Sequence, residues 1–188
     1  MAINLEKGQR IEVNLKTVTL GLGWDPNMSS GKNFDLDASV FCLNNLKKLP
    51  QDEYFVFYNN KYSPDGAVEG ADDDRTGSTN EQENEQDDEE IKIDLDKVDA
   101  KISEIRCVVT IHKGIENKQN FGQVRNSYIR IVDNTTNTEI AKYELEEDFS
   151  IETAIEFGRL YRKNGGWKFE AIGEGYKEDL GFFVSKYK

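Results

Sequence analysis

Residues 10–22 read Arg10-Ile11-Glu12-Val13-Asn14-Leu15-Lys16-Thr17-Val18-Thr19-Leu20-Gly21-Leu22. Apolar side chains fall at Ile11, Val13 and Leu15, and again at Val18, Leu20 and Leu22. A spacing of two places them on one face of an extended chain, so this stretch predicts two half-buried strands. The same short apolar runs recur at Leu36–Leu43, Tyr54–Tyr58, Ile91–Leu95, Ile105–Ile111, Tyr128–Val132, Glu139–Leu145 and Trp167–Ile172, and Gly181–Val184 is a further strand candidate. Turn residues separate them: Asp25-Pro26-Asn27, Ser63-Pro64-Asp65-Gly66, Asp133-Asn134 and Asn164-Gly165-Gly166. About eight or nine strands at this spacing predict a mainly β chain folded as an antiparallel β-sandwich. The length, 188 residues, fits one domain over 1–188.

One stretch departs from this pattern. Ile151, Ala154, Ile155, Gly158 and Tyr161 follow a helical stripe, with Ser150 placed to cap it and Gly165-Gly166 to stop it. The spacing predicts a peripheral helix over 150–163, with Arg159, Arg162 and Lys163 complementing its dipole.

The charge is concentrated. The chain has 36 acidic and 24 basic residues, a net charge of −12. Residues 65–90 hold twelve acids and one base, Arg75, which leaves −1 for everything else. Residues 72–90 contain no large apolar side chain, so the reading is a long acidic loop near 65–90 outside the core. The missing basic footprint argues against nucleic acid as a partner. Apolar runs fall far short of the roughly 18 residues of a membrane span. Met1–Lys7 has no basic region followed by an apolar one, so no signal peptide is expected. Cys42 and Cys107 sit in apolar runs and are read as buried thiols of a reducing cytoplasm.

The composition gives little to catalysis, and no enzyme is expected. His112 is the single histidine. Cys107 lies five residues before it, on the opposite face of one strand. No nucleophile elbow, phosphate-binding glycine loop or Cys-Xaa-Xaa-Cys occurs, and Gly21-Leu22-Gly23 is followed by Trp24-Asp25 rather than by a dinucleotide-binding turn. Three Cys and His residues in all are too few for a convincing zinc site.

Hard oxygen ligands are abundant instead, and Ca²⁺ takes six to eight of them. Asp25 follows a strand end. Asp35 and Asp37 are two apart, so a strand sends both carboxylates to one face while Leu36 packs inward. Like charges held that close repel unless a cation lies between them. Asn59-Asn60 and Asp65-Gly66 close a third segment. In the acidic stretch, counting from Asp72 gives Asp74 at position 3, Thr76 at 5, Gly77 at 6 and Glu83 at 12, which approaches a calcium loop without the flanking helices of an EF-hand.

Gly21-Leu22-Gly23-Trp24-Asp25, Phe34-Asp35-Leu36-Asp37-Ala38-Ser39, Asn59-Asn60-Lys61 with Ser63-Pro64-Asp65-Gly66, Phe121-Gly122-Gln123-Val124-Arg125-Asn126 and Gly158-Arg159-Leu160-Tyr161-Arg162 resemble the TerD family of tellurium-resistance and stress-response proteins. The resemblance runs from about Ile3 to Tyr187. It implies a cytoplasmic β-sandwich, sometimes associated with membranes through partners, that binds two Ca²⁺ side by side. The ligand pool it implies is Asp25, Asp35, Asp37, Asn60, Asp65, Asp73 and the Asp88-Glu89 region; the calcium-like loop adds Asp74 and Gly77. The family has no established catalytic residues. Ser78–Gln86 is longer and more acidic than is usual for it. Gln123, Arg125 and Asn126 carry no metal chemistry and are read as holding a turn, supporting the acidic sites or meeting a partner.

The resulting expectation is a calcium-binding module of the stress-response type that works with protein partners. The alternative is a calcium-independent interaction module with a disordered acidic loop that attracts a basic partner. A direct oxyanion binder is disfavoured by the acidity unless a bound cation bridges the anion.

Overall fold

The computed structural model describes residues 7–11, 14–27, 31–70, 75, 77 and 87–188. Ten strands are present among them: β1 (Thr17–Gly23), β2 (Leu36–Leu43), β3 (Phe55–Val56), β4 (Val68–Gly70), β5 (Glu89–Asp94), β6 (Glu104–Ile111), β7 (Tyr128–Asp133), β8 (Thr138–Glu144), β9 (Ala154–Lys163) and β10 (Gly166–Tyr176). They form two five-stranded antiparallel sheets, ordered β4-β5-β1-β7-β8 and β10-β9-β6-β2-β3. Three short helices are α1 (Gly114–Asn117), α2 (Leu145–Asp148) and α3 (Leu180–Tyr187). The sandwich expected from the period-two runs is therefore the observed architecture.

Alternation builds the core. Val18, Leu20 and Leu22 of β1 point between the sheets, where they join Leu36, Val40 and Cys42 of β2 and Ile105, Cys107 and Val109 of β6 in one cluster. The second sheet is also covered on its other face. Phe41, Leu43, Phe55, Val108 and Ala154 pack there against Phe183 and Tyr187 of α3. Burial on both sides explains why all eight residues of β2 are buried, including the polar Asp37 and Ser39. Both cysteines are free and buried, and burial pushes the Cys107 thiol up to about 12, so neither is poised for thiol chemistry at neutral pH.

The helix expected over 150–163 is instead strand β9, between β6 and β10. A register slip explains the misleading period. Cys107 pairs with Gly158 while Val108 pairs with Glu156, so Phe157 is an extra residue in a bulge. Ile155 and Phe157 face the core before the slip and Leu160 after it, which breaks the alternation and mimics a helical stripe. Arg159 and Arg162 consequently complement no helix dipole. Arg159 bridges Glu104 and Glu170, and Arg162 donates to the carbonyls of Val98 and Ile102. The strand candidate Gly181–Val184 lies in α3, whose first turn is capped by Asp179 accepting the Phe182 N–H. The expected acidic loop also needs correction at its ends: Val68–Gly70 is β4, and Glu89 and Glu90 open β5. Most of that loop, including Asp73 and Asp74, lies outside the described residues.

Candidate metal centre at one end of the sandwich

Antiparallel pairing fixes which loops meet. Leu22 of β1 lies opposite Glu89 of β5, and Gly23 lies opposite Tyr128 of β7. The C-terminal end of β1 and the starts of β5 and β7 therefore share one end of the first sheet. The start of β2 in the other sheet is tied to the same place, because the Ala38 N–H donates to Glu89 Oε2 at 3.0 Å. That N–H is available because β3 pairs only with Val40 and Phe41 and stops short of Ala38.

Trp24 joins the loops. Its backbone N–H donates to Asp88 Oδ2 at 2.8 Å, and its indole N–H donates to the Phe34 carbonyl at 3.2 Å. Gly77 packs on it so closely that a β-carbon would stand 2.4 Å from the Trp24 carbonyl oxygen. Gly77 also has φ +74°, a conformation that glycine adopts without strain. Segments carrying Asp25, Asp35-Asp37, Gly77 and Asp88-Glu89 thus converge on one tryptophan, partly through its backbone and partly through its indole.

The glycines of Gly21-Leu22-Gly23 serve this packing. A β-carbon at Gly21 would stand 2.0 Å from Asp87 Oδ2, and one at Gly23 would stand 2.6 Å from the Tyr128 ring. Asp87 lies over β1 and accepts from the Tyr128 hydroxyl at 2.9 Å and from Arg130 Nε at 2.8 Å. Burial, then the Asp87 charge, holds the Tyr128 hydroxyl well above the usual phenol range. Sequence reasoning passed over Asp87 and Arg130 because nothing in the pattern signals a pair 43 residues apart.

The remaining site candidates have these positions. The Asp25 carboxylate accepts from Asn126 Nδ2 at 2.6 Å, and the Asp25 N–H donates to the Arg125 carbonyl. Asn126 thus supports an acidic residue, while Gln123 closes a capping box by accepting the Asn120 N–H. Asp37 is 3% exposed, on the β2 face away from the core, 3.5 Å from His112 Nδ1. The Asp35 carbonyl accepts the His112 N–H. Asn60 holds its own turn, its amide donating to the Glu53 and Phe55 carbonyls. Asp65 is elsewhere: its carboxylate accepts from Ser63, Ala67 and the Asp99 N–H, beside the far end of β5. The donors at the shared end are hard oxygens, which suit Ca²⁺ better than zinc or copper. Among the described residues, no three acidic, His or Cys side chains are grouped so that they could hold an ion by themselves.

Comparisons with known proteins agree with this architecture. The TerD domain pattern matches residues 1–187. The tellurium resistance protein TerD of Serratia marcescens is 44% identical, the alignment covering 100% of this chain and 97% of that protein. General stress protein 16U of Bacillus subtilis (strain 168) is 45% identical with the same coverage. Among solved structures, a homologue of telluride resistance protein (TerD), SCO6318 from Streptomyces coelicolor A3(2), superposes with a TM-score of 0.76 at 23% identity, covering 90% of this chain and 95% of that one. SAV2460, described as a protein of unknown function, gives a TM-score of 0.79 at 23% identity, covering 94% and 99%. The chain belongs to the TerD domain family of tellurium resistance and general stress proteins.

Proposed function

We propose that the protein is a calcium-binding module of the stress response, holding about two Ca²⁺ and acting through protein partners rather than by catalysis. The observation that carries this reading is the convergence on Trp24 of three acid-bearing segments: the end of β1, the start of β2 and the start of β5. Asp25, Asp35, Asp37, Asp88 and Glu89 would supply oxygens there, with Asp73, Asp74 and the Gly77 carbonyl completing the shell. Carboxylates from separate loops repel one another without a cation, so Ca²⁺ would join the loops and stabilise the fold by mass action.

Thermal melting and calorimetric titration of EDTA-stripped protein test this. Saturating Ca²⁺ at about 100 times its Kd should add about 2.7 kcal/mol and raise the Tm. Asp35→Asn with Asp37→Asn should remove most of the binding. A Tm unmoved by millimolar Ca²⁺ defeats the proposal. Deleting 78–86 separates it from the calcium-independent reading, in which partner binding is lost while the Ca²⁺ response persists. The proposal includes a cytoplasmic setting; among the described residues no helix is long and apolar enough to cross a membrane.

A further inference from the structure

A cleft of about 850 Å³ opens beside Asp25, between residues 25–27 and 31–34 on one side and the stretch from α1 to Arg125 on the other. Its volume is in the range of small-molecule sites. The charge around it is opposite to that of the chain as a whole. Lys32, Lys118 and Arg125 line it against Asp25 and Glu116. The Asp25 carboxylate is already engaged by Asn126. Neither Lys118 nor Arg125 forms an ion pair with any described carboxylate, although acids outnumber bases by 36 to 24.

The walls are stitched before any ligand arrives. Gln119 is 8% exposed, and its Nε2 donates to the carbonyls of Lys32 and Asn33 at 3.2 and 3.1 Å. Lys32 Nζ donates to Asn117 Oδ1 at 2.6 Å. On the other side, the Asp25 N–H to Arg125 carbonyl bond fixes the Arg125 backbone. A preformed site loses little entropy when it binds.

The geometry points to this cleft as a binding site for a small phosphorylated metabolite of the sugar-phosphate class. A phosphomonoester carries about two negative charges near neutral pH, which calls for more than one cation, and an arginine fork matches its oxygens. The cleft is larger than phosphate alone requires. Gln123 brings an amide to the lining, its Oε1 held by the Asn120 N–H, and Phe34 with Pro26 adds an apolar wall. The net acidity of the chain does not oppose this, because it resides mainly in 65–90 and distant charges are screened.

The test is an NMR titration of the isotope-labelled full-length protein in EDTA, with ribose 5-phosphate, ribose and inorganic phosphate as probes. Ribose 5-phosphate should give saturable shifts confined to 25–34 and 116–125. Inorganic phosphate should bind about tenfold more weakly or worse, and ribose should not bind. R125Q with K118Q, both at exposed positions, should keep the parental Tm and weaken ribose 5-phosphate about tenfold or more, the loss expected when hydrogen bonds to a charged group vanish. K118E alone should weaken it in the same direction. Four results overturn the inference: no saturable shifts, equal affinity for inorganic phosphate, unchanged affinity in the double variant, or binding that appears only when Ca²⁺ is added. Using EDTA keeps the outcome separate from that of the calcium proposal.

Discussion

Glu89 of one sheet accepts the backbone N–H of Ala38 in the other at 3.0 Å, and Glu89 is 8% exposed. This bond spans the sandwich at the end where the acidic segments meet. A buried charged acceptor is worth more than an exposed one, and removing it leaves the Ala38 N–H unsatisfied. Glu89→Ala should cost about 2 kcal/mol in EDTA, measured by urea unfolding, whereas Glu89→Gln, which keeps an acceptor oxygen, should cost less than half of that. Equal losses in the two variants would remove the tether from the account.

Gly21→Ala probes the close approach of the two loops. Its β-carbon would stand 2.0 Å from Asp87 Oδ2, so the Asp87–Arg130 pair must move off β1. Overpacking of this kind costs about 1–3 kcal/mol. In a domain of this size the Tm should fall by several degrees, at about 2–4 °C per kcal/mol. Gly8→Ala, where nothing lies within 4 Å but φ is +83°, is a comparison in which only backbone strain acts. A smaller loss at Gly21 than at Gly8 would mean that Asp87 yields freely.

The fold was legible wherever one face of a strand met the core and the other was more open to water, as in β5 and β7. It was not legible in β9, where a bulge at Phe157 and burial of both faces removed the period-two signal. Nor was α3, because Phe182, Phe183 and Val184 present the same run of apolar letters as a strand. At the candidate site, Asp25, Asp35 and Asp37 stood out by residue type and spacing, whereas Asp88 and Glu89 were singled out only by the family resemblance. Trp24 did not, because its role is to hold backbone from other segments, and hydrogen bonds to backbone leave no trace in side-chain pattern.

Acid should weaken the outer face of the second sheet. Glu156 is 1% exposed and receives Arg106 at 2.7 Å, Lys186 at 2.8 Å and the Tyr187 hydroxyl. Burial acts to raise its pKa, but the bonds from Lys186 and Tyr187 and the Arg106 charge outweigh burial and hold it below the ordinary 4.5. Glu104 is held below 4.5 in the same way, against burial, by Lys47 and Arg106. A carboxylate with a depressed folded pKa contributes stability that is fully present above 4.5 and is lost as pH falls through the folded value. Urea midpoints should therefore drop as the pH falls below about 4.5. Glu156→Gln should be about 1–3 kcal/mol less stable at pH 7, because Arg106 keeps Glu104 while Lys186 loses its carboxylate, and should show a shallower acid slope. An unchanged slope in that variant would assign the acid sensitivity to other groups.

Asp65 gives the sharpest division between ligand and scaffold. It accepts hydrogen bonds from Ser63, Ala67 and Asp99, and the Asp94 N–H donates to the Ala67 carbonyl at the C-terminal end of β5. Glu89 begins the same six-residue strand, which places the two ends about 17 Å apart at the usual rise per residue. That distance is several times a Ca²⁺–oxygen bond. Asp65→Ala should therefore cost about 1–3 kcal/mol, measured by urea unfolding in EDTA, through the unsatisfied turn donors. The rise in Tm on adding saturating Ca²⁺ should match that of the parent. Asp35→Asn with Asp37→Asn should give the reverse pattern, a smaller loss in EDTA and little response to Ca²⁺. If Asp65→Ala instead abolishes the Ca²⁺ response while leaving stability in EDTA intact, Asp65 is a ligand, and the metal centre extends beyond the end of the sandwich marked by Trp24.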